Sequence, residues 1–512
     1  PDRAFDIMVN HWYLYQVCSS RLFARAGFYQ VGGATGFRDQ LQDVMGILYT
    51  DPAYARRQIL DHAAHQFAEG DVLHWWHESI LLGSRTTFSD DYLWLVYVTY
   101  QYVQVTGDTT ILDEVVSFCQ ADALNPGEAE RGMRYTTGKH LGNLTEGCNA
   151  DGGDTSFPPH SSIFDHLRLC ITRALSRMGS HGLPLMGCGD WNDGMSAVGI
   201  HGRGESVWVA FFLVDLVPKF VELSRLVERT DEDFNANLMQ QRETLIHNLQ
   251  ENAWDGAWFL RAYFDNGDPM GSRNNLECQI DLISQAWAIL TDTATEDQKR
   301  SIFKECDTRL VNREHEIIQL LTPPFKHSRN NPGYICDYPI GVRENGGQYT
   351  HGAFWYIQAL LKEGHYDEAY FNYSIINPIH RTSSLADVLK YKVEPYCIAA
   401  DIYSNPQFPG RGGWTWYTGS ASWAYKTAVE NILGFHKQGS TVTLQPRIPS
   451  SWQSFTLRYR LSTTTTYTFI VGESATVLSE KTLDAVTVKV GTPIKLIDDG
   501  KEHVVLVLND DK

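Results

Sequence analysis

The sequence predicts a mainly α protein, an (α/α)6 barrel followed by a small antiparallel β-domain at the C-terminus. From about residue 5 to residue 435, about a dozen amphipathic helical patterns follow one another, separated by long loops rich in Gly, Asp, Asn and Trp. Long loops favour a toroid of inner and outer helices over a bundle, whose connections are short. Beyond residue 436 the pattern changes to the period-two alternation of β-strands.

The chain is expected to divide into three parts. Residues 1–35 form a linker helix and an entry loop, residues 36–435 the catalytic barrel, and residues 436–512 a β-sandwich-like domain. The predicted helices cover residues 5–28, 39–49, 52–68, 90–106, 110–119, 160–178, 205–229, 235–253, 275–291, 295–308, 350–363, 366–375 and 418–434. Strand alternation is clearest in residues 441–444, 455–460, 466–471 and 503–508.

The charge balance limits the class of partner. The 512 residues include 43 Lys and Arg against 61 Asp and Glu, a formal net charge of -18 that is spread along the chain. This balance indicates a soluble protein and argues against nucleic acid or an anionic membrane as a partner. The first residues lack the pattern of a signal peptide, and no uncharged apolar stretch is long enough to span a membrane. A phosphate group would have to be held locally, by particular Arg, His and backbone N–H groups.

The cysteines indicate a reducing compartment. All nine are scattered along the sequence, and none forms a C-x-x-C pair. An odd number of dispersed cysteines is typical of a cytoplasmic protein and not of a disulfide framework, and it makes a cysteine metal site unexpected. His74 and His77 lack a clear third ligand, so we expect them to be structural or ligand-binding residues and predict no metal site.

The loop at residues 189–195 is the strongest candidate for chemistry. Asp190 and Asp193 flank Trp191 and Asn192 within a turn-like segment. A carboxylic acid against an aromatic face can have a raised pKa, as a general acid requires, and an indole is a flat surface on which a sugar ring stacks. The alternative interpretation is an ordinary Asx turn.

Five further segments carry chemistry-bearing residues. Residues 36–43 place Arg38 and Asp39 at a helix start, where they can donate to and accept from adjacent hydroxyls. Residues 71–77 and 89–94 combine aromatic residues with acids and His. Residues 338–352 form a polar loop that leads into a helix, and residues 414–423 end at a helix start whose free N–H groups suit an oxyanion. A helix cap or a buried aromatic core is the structural alternative for each segment.

Together these segments resemble the family 94 glycoside phosphorylases, the group of the cellobiose, chitobiose and cellodextrin phosphorylases. The resemblance covers the helical part and extends into the β-tail. Residues 36–43, 70–77 and 341–351 are most similar to the β-1,2-glucan branch, which holds 1,2-β-oligoglucan phosphorylases and the phosphorylase-like domains of cyclic β-1,2-glucan synthases. Since family members carry an N-terminal β-sandwich before a linker helix, the chain is expected to be part of a longer protein with such a sandwich or a glycosyltransferase. The oligomeric state is left open.

The resemblance implies a role for each matching residue. Asp193 is implied as the general acid, and His351, the Thr418 hydroxyl and the Gly419 N–H as the phosphate-binding groups. The residues predicted to bind the substrate are Arg38, Asp39, Trp191, Asn192, Tyr338, Arg343 and Glu205. Cellobiose phosphorylases have an additional Arg for phosphate where this chain has residues 30–33, so Arg343 or Arg38 is expected to supply the main cation.

The implied reaction is reversible, inverting phosphorolysis of β-1,2-linked gluco-oligosaccharides such as sophorose to α-glucose 1-phosphate and a shortened glucan. It uses inorganic phosphate as a co-substrate and is expected to need no metal or organic cofactor. One alternative is an inverting β-glucan hydrolase on the same barrel, with Glu205, Glu344 or Glu394 as the base. Another is a domain that trims or binds glucan chains within a larger cyclic β-1,2-glucan synthase. A purely structural toroid is less favoured, because Trp and Asp are concentrated in the loops.

Overall fold

The computed structural model describes residues 1–138, 160–228, 230–479 and 485–509. Within these ranges the protein is rich in α-helix, with small sheets between the helices and at the C-terminal end. The helices are α1 Arg3–Ile7, α2 Tyr13–Gln16, α3 Phe37–Met45, α4 Pro52–Ala63, α5 Leu93–Thr106, α6 Ile163–Ser176, α7 Val207–Ser224, α8 Glu232–Ala253, α9 Leu282–Leu290, α10 Glu296–Arg309, α11 Thr350–Lys362, α12 Tyr366–Ile376, α13 Leu385–Tyr391, α14 Ser420–Lys426 and α15 Ser474–Ser479. Turns of π-helix at Met8–Trp12, Val17–Phe23 and Thr427–Ile432 join α1 to α2 and extend α2 and α14.

Six helices pack in a closed order. Helix α3 packs on α5, α5 on α7, α7 on α9, α9 on α11, α11 on α14, and α14 returns to α3. Further helices pack on the members of this ring: α4 on α3 and α5, α6 on α5 and α7, α8 on α7, α10 on α9, α12 on α11, and α2 on α14. At the closing contact, Trp423 Nε1 donates to Gln42 Oε1 at 3.0 Å, and Ser422 Oγ donates to the backbone carbonyl oxygens of Gln42 and Asp43.

Tryptophan side chains fill the centre of this ring. Trp355 of α11 stacks on Trp208 of α7 at 5.8 Å between ring centroids and meets Trp423 of α14 edge-on at 5.7 Å. Trp94 of α5 lies parallel to Trp355 at 6.5 Å. All four are buried, and large aromatic side chains contribute most to the burial of apolar area in such a core. The cluster also supports the loop above it, because Trp191 packs on Trp355 at 4.8 Å.

Most strands outside the C-terminal part are short. The strands up to residue 402 are β1 Thr35–Gly36, β2 Leu73–His77, β3 Leu82–Thr86, β4 Val115–Ser117, β5 Glu130–Arg134, β6 His160–Ser162, β7 Glu205–Ser206, β8 Ala262–Tyr263, β9 Pro269–Met270, β10 Ile280–Asp281, β11 Val311–Asn312, β12 Ile317–Ile318, β13 Leu321–Thr322, β14 Gln348–Tyr349 and β15 Asp401–Ile402. Strands β1, β2, β3 and β5 form a sheet in that order, with antiparallel neighbours. Its first strand leads directly into α3.

The C-terminal strands form two sheets, of which one is mixed. The strands are β16 Phe435–Gln438, β17 Thr441–Leu444, β18 Ser454–Arg460, β19 Thr466–Gly472, β20 Val486–Lys489, β21 Ile494–Lys495 and β22 Glu502–Leu508. The order of one sheet is β16-β17-β21 and that of the other is β18-β19-β22-β20. The prediction of a purely antiparallel arrangement is wrong, because β22 pairs in parallel with both β19 and β20. The long connection from β19 to β22 provides the crossover that a parallel pair needs.

The helix predictions agree with the structure in most segments and are wrong in one. Residues 110–119 do not form an α-helix: a 3₁₀ turn at Thr109–Asp113 precedes strand β4, whose β-branched residues pair with β6. Helix α13 and the sheet of β1, β2, β3 and β5 were not predicted. No helix among the described residues is both long and apolar enough to cross a membrane. The eight cysteines in the described residues are free.

Candidate functional site

A buried ion pair anchors the loop at residues 189–195. Arg261 donates to both carboxylate oxygens of Asp190, at 2.7 and 2.6 Å, and both side chains are inaccessible to solvent. Ser206 Oγ donates to the same carboxylate at 2.6 Å. Burial raises the pKa of Asp190, but Arg261 and the hydrogen bonds from Ser206 and the Asn192 N–H together lower it below its usual value. Asp190 is therefore an ionised structural anchor.

Asn192 shapes the turn that presents Asp193. Its side-chain oxygen accepts a hydrogen bond from the Gly194 N–H at 3.1 Å, and a 3₁₀ turn follows at Asp193–Met195. Such an Asx turn is the local structure that Asn favours through its own side chain. Asn192 is itself buried, with 2% of its surface exposed. It therefore orients its neighbour and has little surface of its own for a ligand.

Asp193 combines partial exposure with a raised pKa. Its side chain is 38% exposed and forms an ion pair with the Arg38 guanidinium. Arg38 also donates to Asp90 Oδ1 at 2.8 Å and to the backbone carbonyl of Asp190 at 2.9 Å. Burial raises the pKa of Asp193 above its usual value, although the charges of Arg38 and His74 oppose this shift. A carboxyl group of this kind, open to a cavity, is suited to general acid catalysis.

The start of α3 places Arg38 and Asp39 beside Asp193. Gly36 precedes the helix in an extended conformation, and its N–H donates to Gln40 Oε1 at 2.7 Å. A Cβ atom at Gly36 would lie 2.8 Å from Asp39 Oδ2, so a side chain there would displace the Asp39 carboxylate. Asp39 also pairs with Arg21 at 3.4 Å. Burial raises the pKa of Asp39, but the charges of Arg21 and Arg38 outweigh it and lower the pKa.

Asp193 opens onto two adjoining cavities. The inner chamber has a volume of about 150 Å³ and the outer chamber a volume of about 320 Å³. The described residues that line both chambers are Gln30, Arg38, Asp39, Asp193 and Tyr417. The inner chamber is further lined by Arg21, Gln42, Trp191, Tyr334, Arg343, Glu344, Tyr349, His351, Ala400, Trp414, Thr418 and Gly419. The outer chamber is further lined by Ala34, Gly36, His74, Trp75 and His77.

One end of the inner chamber has the groups of an anion site. A Cβ atom at Gly419 would lie 3.4 Å from the His351 ring, so the absence of a side chain leaves space beside that ring. Thr418 Oγ1 lies 2.8 Å from Ser420 Oγ and is close to this space. Burial among tryptophan rings lowers the pKa of His351 to about 3, which keeps the imidazole neutral at neutral pH. A neutral imidazole can still donate one hydrogen bond to an anion.

Arg21 supplies a cation to the same chamber. Its Nε donates to Asp43 Oδ2 at 2.8 Å, and its guanidinium lies 4.2 Å from the centre of the Tyr417 ring. The side chain is 4% exposed and is thus held in a single arrangement by Asp43, Asp39 and Tyr417. Sequence analysis proposed Arg343 or Arg38 as the main cation and did not identify Arg21. Nothing in the sequence around Arg21 distinguishes it from other arginines, because its partners come from residues 39–43 and from residue 417.

Arg343 also lines the inner chamber and lies between aromatic rings. Its guanidinium is 4.4 Å from the Trp414 ring centre and 5.1 Å from that of Tyr338. Its Nε pairs with Glu344 at 3.2 Å. Arg343 adopts a left-handed backbone conformation, with φ of 50°, and its N–H donates to Asp401 Oδ2 at 2.9 Å. This carboxylate helps to hold the strained residue in place.

The structure brings eight of the eleven predicted site residues to the inner chamber. These are Asp193, Arg38, Asp39, Trp191, Arg343, His351, Thr418 and Gly419. Asn192, Tyr338 and Glu205 line neither chamber. Glu205 is buried and accepts hydrogen bonds from the backbone N–H groups of His181 and Leu183 and from the His181 ring. Residues that sequence analysis did not assign to this cavity include Arg21, Gln30, Tyr334, Trp414 and Tyr417.

The family model for the Glycosyl hydrolase 94 superfamily catalytic domain matches residues 1–156 and 156–434. The chain belongs to this family. It is 41% identical over 465 residues to the cyclic beta-(1,2)-glucan synthase NdvB of Rhizobium meliloti, a match that covers 91% of this chain and 16% of the synthase. It is 28% identical to solabiose phosphorylase of Paenibacillus borealis, covering 84% of this chain and 50% of that enzyme.

A 1,2-beta-oligoglucan phosphorylase of Listeria innocua is 20% identical over 486 residues, which cover 86% of this chain and 40% of that enzyme. The chain thus spans half or less of the length of these relatives. Among solved structures, a family 78 rhamnosidase of Bacillus sp. GL1 has a similar fold, with a TM-score of 0.57 at 12% identity. That match covers 99% of this chain and 43% of the rhamnosidase.

Proposed function

We propose that this chain is an inverting glycoside phosphorylase that converts β-1,2-linked gluco-oligosaccharides and phosphate reversibly to α-glucose 1-phosphate and a shortened glucan. One observation carries the proposal: Asp193 shares a chamber with the anion-binding groups His351, Thr418 and Gly419. An acid and a nucleophile site in one cavity are what phosphorolysis needs. Inorganic phosphate is the co-substrate, and we expect no metal or organic cofactor.

In the proposed mechanism, Asp193 is the general acid. In phosphorolysis its proton goes to the glycosidic oxygen as the bond from that oxygen to the anomeric carbon breaks. A phosphate oxygen forms the new bond to the anomeric carbon from the opposite face, which inverts its configuration. In synthesis the Asp193 carboxylate takes the proton of the attacking hydroxyl, and the ion pair with Arg38 favours this charged form. Phosphate is itself the nucleophile, so no second carboxylate is needed to activate a water.

The phosphate ion is proposed to occupy the end of the inner chamber beside Gly419. His351, the Thr418 hydroxyl and the Gly419 N–H would donate hydrogen bonds to its oxygens, and Arg21 would supply the positive charge. Arg38 and Asp39 would bind hydroxyl groups of the glucose, and Trp191 would form one wall of its subsite. The substrate and its β-1,2 linkage are supported by the names of the glucan synthase and of the oligoglucan phosphorylase, both of which specify this linkage.

We infer that the helices form an (α/α)6 barrel. The closed order of α3, α5, α7, α9, α11 and α14 supports an inner ring, and the helices that pack outside it support an outer one. The two C-terminal sheets support a small β-domain after the barrel. The domain bounds at residues 35 and 435 stay a prediction. A cytoplasmic location likewise stays a prediction, supported by the free cysteines.

Two alternatives are favoured by specific observations. For a hydrolase, Glu344 is the one predicted base among Glu205, Glu344 and Glu394 that lines the inner chamber. The 41% identity to NdvB, of which this chain covers 16%, favours a phosphorylase-like domain that trims glucan chains within a larger synthase. Such a domain would use the same chemistry on a chain made elsewhere in the same protein.

The test measures phosphate release from α-glucose 1-phosphate with sophorose, laminaribiose or cellobiose as the acceptor. Release with sophorose, reduced at least ~100-fold in Asp193→Asn, is the expected result. The matched control Asp498→Asn changes a surface carboxylate of the C-terminal part and should retain activity. Hydrolysis of a β-1,2-glucan without phosphate, abolished in Glu344→Gln, would replace the proposal with the hydrolase.

A further inference from the structure

Arg38 serves two demands that conflict. It holds Asp193 through an ion pair, and a cation in such a pair favours the ionised form of the carboxyl group. A general acid, however, must carry its proton when the glycosidic oxygen leaves. A buried arginine whose charge faced Asp193 alone would hold the acid in place and at the same time remove its proton. The groups that surround Arg38 bear on this conflict.

We infer that Asp90 is a positioning residue for this acid: its carboxylate balances the charge of Arg38, so that Arg38 holds Asp193 in place while Asp193 keeps its proton. The inference rests on the proposed phosphorylase function and assigns Asp90, for which that proposal has no role. Asp90 lines neither chamber, and its side chain is inaccessible to solvent. It therefore acts on Asp193 through Arg38.

Both oxygens of the Asp90 carboxylate have a fixed donor. Oδ1 accepts a hydrogen bond from Arg38 Nη1 at 2.8 Å, and Oδ2 accepts one from Trp94 Nε1 at 3.0 Å. Burial raises the pKa of Asp90 above its usual value, and the charges of Asp91 and Asp190 act in the same direction. The two donors oppose this shift, because a hydrogen bond or a cation at a carboxylate favours its charged form.

The guanidinium of Arg38 is shared between the acid and other oxygens. Nη2 faces Asp193, whereas Nη1 faces Asp90 and also donates to the Asp190 backbone carbonyl at 2.9 Å. Asp91, whose side chain is 1% exposed, adds a second buried carboxylate 3.6 Å from Nη1. The anions beside Nη1 partly cancel the field of the cation at Asp193. Sharing therefore weakens the effect of Arg38 on the proton of the acid.

The segment before α5 is tied to the loop that carries the acid. Ser89 donates to the Gly189 carbonyl from its backbone N–H at 3.1 Å and from its hydroxyl at 3.2 Å. The Cys188 N–H donates to Thr87 Oγ1 at 3.0 Å. The carboxylate of Asp90 is thereby fixed relative to this loop.

Other ionisable groups also face Asp193. The charge of His74 lowers the pKa of Asp193, whereas the charges of Asp39 and Asp91 raise it. Further ionisable groups near Asp193 are Tyr334, Tyr338, Arg343, Glu344 and Tyr349. Replacing Asp90 leaves all of these side chains in the protein. A changed pH dependence in such a variant therefore reports on the charge balance at Arg38.

The experiment compares the pH dependence of kcat in both directions on the full chain. Phosphorolysis is assayed with a β-1,2-linked gluco-oligosaccharide and phosphate, and synthesis with α-glucose 1-phosphate and sophorose. The alkaline limb in phosphorolysis reports the loss of the Asp193 proton, and the acidic limb in synthesis reports its gain. Asp90→Asn removes the charge that balances Arg38, so we expect both limbs to move to lower pH by about 1 pH unit. The ionisation of phosphate affects wild type and variant equally.

Trp94→Phe tests the same balance without removing a carboxyl group. Loss of the N–H donor to Oδ2 favours the neutral form of Asp90, so both limbs should move in the same direction as in Asp90→Asn, but less. Asp108→Asn is the matched control. Asp108 likewise accepts hydrogen bonds from an arginine and an aromatic residue, Arg56 and Tyr102, and it lines neither chamber. Its two profiles should coincide with those of the wild type.

Thermal midpoints separate a loss of folding from a change in the acid. An active Asp90→Asn protein whose limbs are unchanged or moved to higher pH would overturn the inference and preserve the proposed function. If Asp90→Asn does not fold, Trp94→Phe decides, and unchanged limbs in that variant overturn the inference. A folded wild type without phosphorylase activity would overturn both the inference and the proposed function.

Discussion

Arg21 contributes a charge whose position depends on three other residues. Asp43 and Asp39 hold its guanidinium by ion pairs, and the Tyr417 ring covers one of its faces. Burial raises the pKa of Asp43 to about 7 although Arg21 lowers it, so this carboxyl is only partly ionised at neutral pH. Arg21 lines the inner chamber, so its guanidinium can meet an anion there directly.

Replacing Arg21 tests this role. Arg21→Gln is expected to raise KM for phosphate about tenfold or more, because a charge-assisted interaction with the anion is lost. KM for the glucan should change little, since Arg38 and Asp39 remain. Initial rates at varied phosphate measure the effect. Arg25→Gln is the control, because Arg25 donates to backbone carbonyl groups and lines neither chamber; an equal rise in KM for that variant would contradict the assignment.

Sequence reasoning identified residues whose role is set by their neighbours in the chain. Arg38 and Asp39 stand at a helix start, and Asp193 stands in an Asx turn, so their local patterns were informative. Arg21 and Tyr417 act through contacts between segments almost 400 residues apart in the chain, for which one sequence has no signal. Glu205 was assigned to the substrate, but its carboxylate is used to cap the turn at residues 181–183.

At the scale of elements, the loop at residues 189–195 depends on one ion pair. Among the described residues, Asp190→Asn would leave the buried Arg261 with one carboxylate nearby, that of Asp281 at 3.6 Å. Removing one partner of a buried ion pair costs about 3–5 kcal/mol, so the free energy of unfolding should fall by about this amount in a urea titration. The control is Glu502→Gln, which breaks an exposed pair with Arg458 and should cost less than ~1 kcal/mol. Equal losses for the two variants would refute this account of the loop.

Helix α4 carries a histidine that makes stability depend on pH. His62 packs between Phe37 and Trp76, and burial lowers its pKa to about 3. The unfolded chain binds this proton near pH 6.5, so the contribution of His62 to stability is complete above that pH and is lost as the pH falls towards 3. Between pH 7 and pH 5 the loss is about 2 kcal/mol.

The His62→Gln variant measures this contribution by difference. Gln cannot be protonated, so the free energy of unfolding of the variant should fall less between pH 7 and pH 5 than that of the wild type, by about 2 kcal/mol. Denaturant titrations at the two pH values provide the comparison. Both proteins retain the buried carboxyls Asp43 and Asp90, whose pKa values are raised to about 7. These groups increase the free energy of unfolding as the pH falls. Because they do so equally in both proteins, their effect cancels in the comparison. If the free energy of unfolding fell equally in both proteins between pH 7 and pH 5, His62 would take up its proton in the folded protein as well.

The elements differ in how well their patterns predicted them. Helices such as α7 and α11 were predicted because apolar residues recur every three to four positions along them. Strand β2 was not predicted, because a β-bulge between Leu73 and Trp75 interrupts the alternation by which a strand is identified. The parallel pairing of β22 could not be predicted either, since register and partner choice depend on contacts that one strand does not encode.

At the scale of the whole molecule, the ring of six helices closes where α3 meets α14. A Cβ atom at Gly46 would lie 2.9 Å from Ser422 Oγ. This hydroxyl donates a hydrogen bond to the backbone carbonyl of Gln42 in α3 and is therefore held in place. Gly46→Ala is therefore expected to destabilise the protein by about 1–3 kcal/mol through overpacking, measured by chemical denaturation. Gly132→Ala is the matched control, because nothing lies within 4 Å of its Cβ position. A Gly46→Ala protein as stable as the Gly132→Ala protein would show that the closing contact has room.

The closing contact has a consequence for synthesis on the ribosome. The hydrogen bond from Trp423 to Gln42 joins residues 381 positions apart in the chain. At about 5–20 residues per second, translation needs roughly 20–80 s to cover that distance. For that time the nascent chain presents the apolar side of α3 without its final neighbour, and the contact between Arg21 and Tyr417 in the proposed anion site cannot form. We expect the nascent protein to depend on chaperone protection and to complete the proposed phosphate site only after residues 417–423 have left the ribosome.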